Sequence, residues 1–429
     1  MVLVSVDWDL QHFDSVLQGL SSSVSDHAPL HLALNAAFRP KRRFKFERFW
    51  LKLEGFEEAV KEAWVCDPAI VDPFRRLDAL YRNAVEHLQS WGQKKLSYMI
   101  WMPCLRRRRF GGVKDLPPDR APGPDGFTGA FYHRAWPIIK RDVLAGLFKL
   151  SVGDGRGFAR LNRALITLIP KKPDAMEFKD YRPISLVHSF AKLFSKVMAN
   201  RLRRRLGEVV SSNQSAFVRG RSLHDNFILV RQVARKINQR RQTGVLLKDL
   251  TRAFDSISWS FLFEVLRRMG FGERFLKWVA LLLSTANTRV LVNGVPGERF
   301  VHVRGLRQGD PTSPMLFVAA MEVLTAVIKK AAERQLFSGL AGILERQRIS
   351  IYADDVVIFC KPLSIELEAT KAILQVFGEA SGLRVNYRKT SATLIREQEG
   401  DVDRVAETLG CEVVGFPIRY LGMQLALRP

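Results

Sequence analysis

Apolar residues recur every three or four positions through residues 51–95, at Leu53, Phe56, Val60 and Trp64 and again at Leu77, Leu80, Val85 and Leu88, which predicts helix there. Residues 185–206 place Leu186, Phe190, Leu193, Phe194, Val197 and Met198 on one face and Lys192, Lys196 and a run of arginines from Arg201 to Arg205 elsewhere. The same spacing returns over 316–331 (Leu316, Ala320, Met321, Leu324, Val327, Ile328) and over 367–377, where Gly382 after Ser381 supplies a stop. Short apolar, β-branched runs predict strands at 245–247, 289–292, 349–353 and 356–359. Residues 99–112 (MIWMPCLRRRRFGG) break every period and read as a linker or a disrupted segment. No repeat of 20–50 residues is visible.

Charge changes the picture. The 429 residues hold 67 Lys and Arg against 43 Asp and Glu, a formal net charge of +24. The first 30 residues carry four aspartates and no cation, so the rest of the chain holds +28. Such a surplus makes a polyanion the expected partner. A hydrophobic fraction of 47% excludes a disordered basic tail. Cys66, Cys104, Cys360 and Cys411 are too far apart for a disulfide framework or a zinc pattern, which suits a reducing, intracellular compartment. No secretory signal opens the chain, and its longest apolar run, near 278–283, is too short for a membrane span. A soluble, basic, globular chain with no membrane partner is expected.

Two carboxylate sites carry the candidate chemistry. Asp354 and Asp355 sit between the apolar runs ISIYA and VVIFC, where a hairpin would hold both at an exposed tip. A solvated turn is the competing reading, since Asp is common in turns. Asp249 ends another apolar run, VLLKD, and leads into an expected helix starting near Phe254; it lies 105 residues before Asp354. Hard oxygen ligands on rigid elements are what a two-metal phosphoryl-transfer site requires.

YADD at 352–355, DLTRAFD at 249–255 and RGLRQGDPTSPMLF at 304–317 resemble the polymerase core of reverse transcriptases. APGPDGFTGAFY (121–132), LIPKKPDAMEFKDYRPISL (168–186), NQSAFVRGRSLHDN (213–226), SGLRVNYRKT (381–390) and FPIRYLG (416–422) complete a set similar to the LINE-type, non-LTR retrotransposon enzymes of plants, in the same order, across residues 115–429. The resemblance implies an α+β right-hand polymerase with fingers (about 115–243) and an antiparallel palm sheet with packed helices (about 244–429). It implies RNA-directed DNA synthesis from dNTPs on an RNA template and DNA primer, and a nuclear place of work. Residues 39–114 would be a shortened helical linker region and 1–38 the end of an apurinic-type endonuclease, whose Asp26-His27 dyad in SDHAPL is expected to be inactive. The thumb is expected to be missing.

Carried over by position, Asp249, Asp354 and Asp355 would hold two Mg2+ ions, with Mn2+ as an alternative. Lys389 would protonate pyrophosphate, although a solvated lysine reads equally well. Lys171, Lys172, Arg182, Phe254, Gln308 and Gly309 would bind the dNTP. Phe254 matches the gate that crowds a ribose 2′-hydroxyl; by itself it reads as a core aromatic. Gln214, Phe217, Arg219 and Arg221 would meet template and primer by stacking and backbone contact.

Two departures stand out. Lys248 directly precedes Asp249, where the family carries an intervening apolar residue, so a strand slip or a bulge is expected. Thr312 replaces an aliphatic in the GDPxSP box. An inactive retroelement product that binds nucleic acid through charge is therefore the alternative. A maturase-like or domesticated RNA-binding factor is disfavoured by the SDHAPL string.

Overall fold

The computed structural model describes residues 16–19, 30–33, 44–96, 116–118, 120–248, 254–342, 345–385, 387 and 390–427. Among the described residues the strands and α-helices run, in order, β1 (Val16–Gly19), β2 (Leu30–Ala33), α1 (Phe56–Ala63), α2 (Pro73–Leu96), α3 (Gly129–Ser151), β3 (Arg163–Pro170), β4 (Tyr181–Val187), α4 (Ser189–Val209), α5 (Leu223–Gln239) and β5 (Gly244–Lys248). They continue with α6 (Trp259–Arg268), α7 (Glu273–Ser284), β6 (Asn287–Val292), β7 (Val295–Val301), α8 (Ser313–Glu333), β8 (Ile349–Tyr352), β9 (Asp355–Cys360) and α9 (Ser364–Ser381). β10 (Ser391–Ile395), α10 (Asp401–Leu409), β11 (Glu412–Val413), β12 (Ile418–Tyr420) and β13 (Met423–Leu425) follow. Two compact units emerge, Met1–Leu193 with Thr285–Val301, and Phe194–Ser284 with His302–Pro429.

The first unit is an α+β body built on aromatic packing. The basic-aromatic string FKFERFW (44–50) turns aromatic rings inward: Phe46 and Trp50 are buried, and Phe46 meets Trp50, Phe56, Phe127 and Phe131 edge-on or tilted. Each fully buried ring of this kind contributes about 1.5–3 kcal/mol by leaving water. Beneath it a buried polar chain runs from Tyr81 through Tyr132 and Ser189 to Asp125, fastening the APGPDG loop to the start of α4. The sheet of this unit orders β4-β3-β6-β7. Residues 185–187, expected as helix, end β4 instead: Pro183 biases Arg182 toward extended backbone, and the strand continues in register with β3, pairing Leu165 with Leu186. β1 and β2 pair antiparallel, with Val16 opposite Ala33.

In the second unit a five-stranded sheet orders β11-β10-β5-β9-β8. It is antiparallel except for its β10–β11 edge, which is parallel. α5 covers one face: Val230, Val233, Ala234 and Ile237 pack with Leu246, Val357 and Phe359. Val245, Leu247, Ile358 and Cys360, of opposite parity, are buried as well. α6, α8 and α9 pack against one another. α9 ends where the sequence indicates, with Gly382 left-handed at φ +81° after Ser381. The helix expected near Phe254 begins later, at Trp259. Ser258 caps it by accepting from the Phe261 N–H at 3.4 Å, and the serines before it favour a turn over helix. Among the described residues no helix is long and apolar enough to cross a membrane, and Cys66, Cys360 and Cys411 are free thiols.

Candidate active site

β8 and β9 form a tight hairpin whose strands are buried almost to the tip. Tyr352 pairs with Asp355, leaving Ala353 and Asp354 as the two-residue turn. Ala353 takes the left-handed φ of +56°, which lets so short a turn close. Asp354 is exposed and Asp355 half-buried, so the carboxylates emerge from a tip whose base is fixed in the core. β5 is the direct neighbour of β9, with Lys248 opposite Val357. The strands run antiparallel, so the end of β5 at Lys248 lies beside the first half of β9. Asp249 follows Lys248 and lies outside the described residues, as do Lys389 and the Asp26-His27 dyad.

The expected bulge is absent from the described part of β5. Val245, Leu246, Leu247 and Lys248 face Cys360, Phe359, Ile358 and Val357 in unbroken register, and the pairing with β10 is equally regular.

Phe254 has φ +31° and is half-buried, its ring stacked on Phe317 at 4.6 Å and 22°. Its carbonyl accepts from the Leu306 N–H, tying this turn to the RGLRQGDP segment. In that segment Gln308 is half-buried, and Gly309 is exposed at φ +108°, a backbone setting suited to glycine. Arg307 and Asp310 bracket these two residues as a buried ion pair at 3.5 Å. Burial pushes the Arg307 guanidinium below its ordinary range, and Asp310 partly offsets this. Asp310 also accepts from the Thr312 N–H at 2.9 Å and from the Ser195 hydroxyl at 2.5 Å. The unexpected Thr312 fits here: its hydroxyl donates to the Ser195 carbonyl at 2.8 Å.

The NQSAFVRGR segment divides. Phe217 (φ +61°) and Arg219 are exposed and, with Arg203, line an open pocket of about 440 Å3. Gln214 and Arg221 are used within the protein. Arg221 donates to the carbonyls of Ser211, Gln214 and Val210 and so closes the end of α4. Gln214 is buried, and its side-chain oxygen accepts from the N–H groups of Ala216 at 2.9 Å and Ala353 at 3.1 Å. Sequence reasoning did not find Asn226, whose amide donates to Asn213, Ser350 and Ile351 and braces the outer edge of β8. Its only signal was a polar residue at a buried helix position.

In the other unit, Lys171 and Lys172 are exposed in the loop after β3, with Lys172 3.3 Å from Asp180. Arg182 is exposed on the edge strand β4, opposite Ile169.

The decisive comparison is with protein families: the one described as reverse transcriptase (RNA-dependent DNA polymerase) matches residues 169–425. The chain belongs to the reverse transcriptase family. Among its relatives are proteins of transposable and retrotransposable elements. It is 30% identical over 291 residues to the transposon TX1 uncharacterized 149 kDa protein of Xenopus laevis, covering 65% of this chain and 21% of that one. It is 27% identical over 308 residues to the Pol polyprotein of the type-1 retrotransposable element R2 of Nasonia vitripennis, covering 71% of this chain and 28% of that one. An uncharacterized mitochondrial protein of Arabidopsis thaliana is 39% identical over 67 residues, 15% of this chain and 55% of that one. The chain thus spans between about a fifth and just over half of these relatives' lengths. The mixed α+β architecture, sheets with packed helices, is consistent with the fingers and palm of that family.

Proposed function

We propose that this chain performs RNA-templated DNA synthesis, joining dNTPs to a primer 3′-hydroxyl at a divalent-metal site formed by Asp354, Asp355 and Asp249. The observation that carries the reading is the placement of Asp354 and Asp355 on a buried hairpin beside the end of β5, the strand that leads to Asp249. Adjacent carboxylates on a rigid turn are the hard oxygen donors that Mg2+ or Mn2+ takes. When bound, a pair of such ions activates the 3′-hydroxyl and neutralises charge on the leaving pyrophosphate. The protein supplies rigidity, since the turn cannot shift without disturbing the core beneath β8 and β9. The net charge of +24 draws the nucleic acid in. Assignment of Lys171, Lys172 and Arg182 to the triphosphate and of Lys389 to pyrophosphate rests on motif position; that of Phe217 and Arg219 to the template is supported by their exposure. A plant lineage for the element is supported by its motifs and by the Arabidopsis likeness. The test is Mg2+-dependent primer extension on an RNA template, with Asp354→Asn as the control.

Phe254 is the proposed sugar gate, its ring held flat by Phe317. Phe254→Val removes the ring and should reduce discrimination against ribonucleotides by about 10- to 200-fold, the range for a lost apolar contact. Competitive incorporation of rNTP against dNTP measures this, and unchanged selectivity would place Phe254 in the core alone.

One observation favours the inactive alternative. β5 reaches Lys248 in unbroken register, so the residue absent before Asp249 is not absorbed upstream. Inserting Leu between Lys248 and Asp249 shifts strand parity by one. If the deletion disables the site, the insertion variant should extend primers where the parent chain does not. Equal activity in both would show that the residues after Lys248 accommodate the change.

A further inference from the structure

We infer that Gln214 is a positioning residue for the Asp354-Asp355 turn, acting through the backbone of Ala353; the inference rests on the reading of that turn as metal-bearing. One side-chain oxygen accepts two backbone N–H groups, from Ala216 in its own loop and from Ala353 at the tip of the hairpin. It thereby ties together segments 139 residues apart. The carbonyl is therefore already occupied and cannot also read a template base, and the side chain is only 1% exposed.

Ala353 needs such a tie. Its φ of +56° is strained for any residue with a Cβ, and alanine, unlike asparagine or aspartate, has no polar group with which to stabilise the turn locally. The orientation of Asp354, the next residue, depends on how firmly that conformation is held. The backbone around Gln214 is laid against the same strand. Ile351 N–H donates to the Asn213 carbonyl at 2.9 Å, Ser215 N–H donates to the Ile351 carbonyl at 3.3 Å, and Gln214 itself bridges to Ile351 in parallel. Asn226 donates to the Ile351 carbonyl at 2.9 Å. Thus β8 is clamped along its outer edge, and within this clamp Gln214 is the contact that reaches past the strand to the turn. Its amide Nε2 is buried with no hydrogen-bond partner among the described residues, so the oxygen is the part of the side chain engaged in the clamp.

The test measures Mn2+ binding by electron paramagnetic resonance without nucleic acid, and primer–template duplex binding by anisotropy in EDTA, on the whole chain. Gln214→Met keeps size and removes the acceptor. It should weaken Mn2+ binding by about 10- to 100-fold, the range for lost support behind a metal ligand, and leave duplex affinity unchanged. Adding Ala353→Gly should restore part of the loss, because glycine takes positive φ without strain. Should Gln214→Met fail to fold, Gln214→Glu, which keeps an acceptor oxygen, should bind Mn2+ close to wild type; marked weakening there would overturn the assignment. Lost duplex affinity with intact Mn2+ binding in Gln214→Met would overturn it too and make Gln214 a template contact. Asp354→Asn run in parallel separates the two levels: if it binds Mn2+ normally the metal reading itself is wrong, whereas if it alone loses Mn2+ only the role of Gln214 fails.

Discussion

Asp310→Ala destabilises the second unit by about 3–5 kcal/mol, because it leaves the Arg307 guanidinium buried without its counter-charge. Arg307 is 6% exposed and Asp310 3%. At 3.5 Å the pair is loosely made, with Arg307 Nη1 and Asp310 Oδ2 lacking hydrogen bonds among the described residues, so it is not a source of stability in its own right. Its effect is local geometry. Asp310 folds back on the Thr312 N–H, engages Ser195 on α4, and holds Gln308 and Gly309 at the surface between two fixed points. In a unit of this size the loss corresponds to a fall in melting temperature of roughly 6–20 °C. Asp310→Asn keeps the acceptor for Ser195 and Thr312 while removing the charge, and should lie between wild type and Asp310→Ala. Arg307→Met combined with Asp310→Ala removes both charges and should recover most of the stability. Urea unfolding of the four proteins checks the order; a double variant no more stable than Asp310→Ala would show that the hydrogen bonds, not the charge, dominate.

Asp354→Asn lowers the rate of primer extension by about 10^3-fold, the kinetic equivalent of the several kcal/mol a metal site contributes. The substitution keeps side-chain size and replaces an anionic oxygen with an amide. Asp354 is exposed in a turn where Asn is equally at home, so thermal stability should not change. The combination separates chemistry from folding. A rate loss accompanied by melting at lower temperature would instead point to a structural role for the carboxylate.

Much of the second unit was legible because its elements carry one-sided patterns. α8 and α9 bury continuous stripes, and the apolar flanks of the two aspartates could only be strands joined by a turn. β5 was legible as a strand but not in register. Val245, Leu246 and Leu247 are all buried, so no alternation of polar and apolar residues marks its faces. The start of α6 was misplaced because Ser258, not the apolar spacing, decides where that helix begins. Gln214 and Arg221 were matched to template contacts by motif position; their hydrogen-bond partners are backbone groups of the protein, one of them 139 residues away, which no local pattern records. Near residue 46 the charged Lys45, Glu47 and Arg48 are exposed while Phe46 and Trp50 fill a core, a division that no single period marks.

The central claim is that the β8–β9 turn and the end of β5 form a working polymerase centre. It is tested most directly by giving the chain a mixed-sequence RNA template, an annealed DNA primer, all four dNTPs and Mg2+, and sequencing the product. The account predicts DNA complementary to the RNA, lost when Mg2+ is chelated. Absence of any product from a folded, RNA-bound chain, or a product whose sequence does not follow the template, would contradict it.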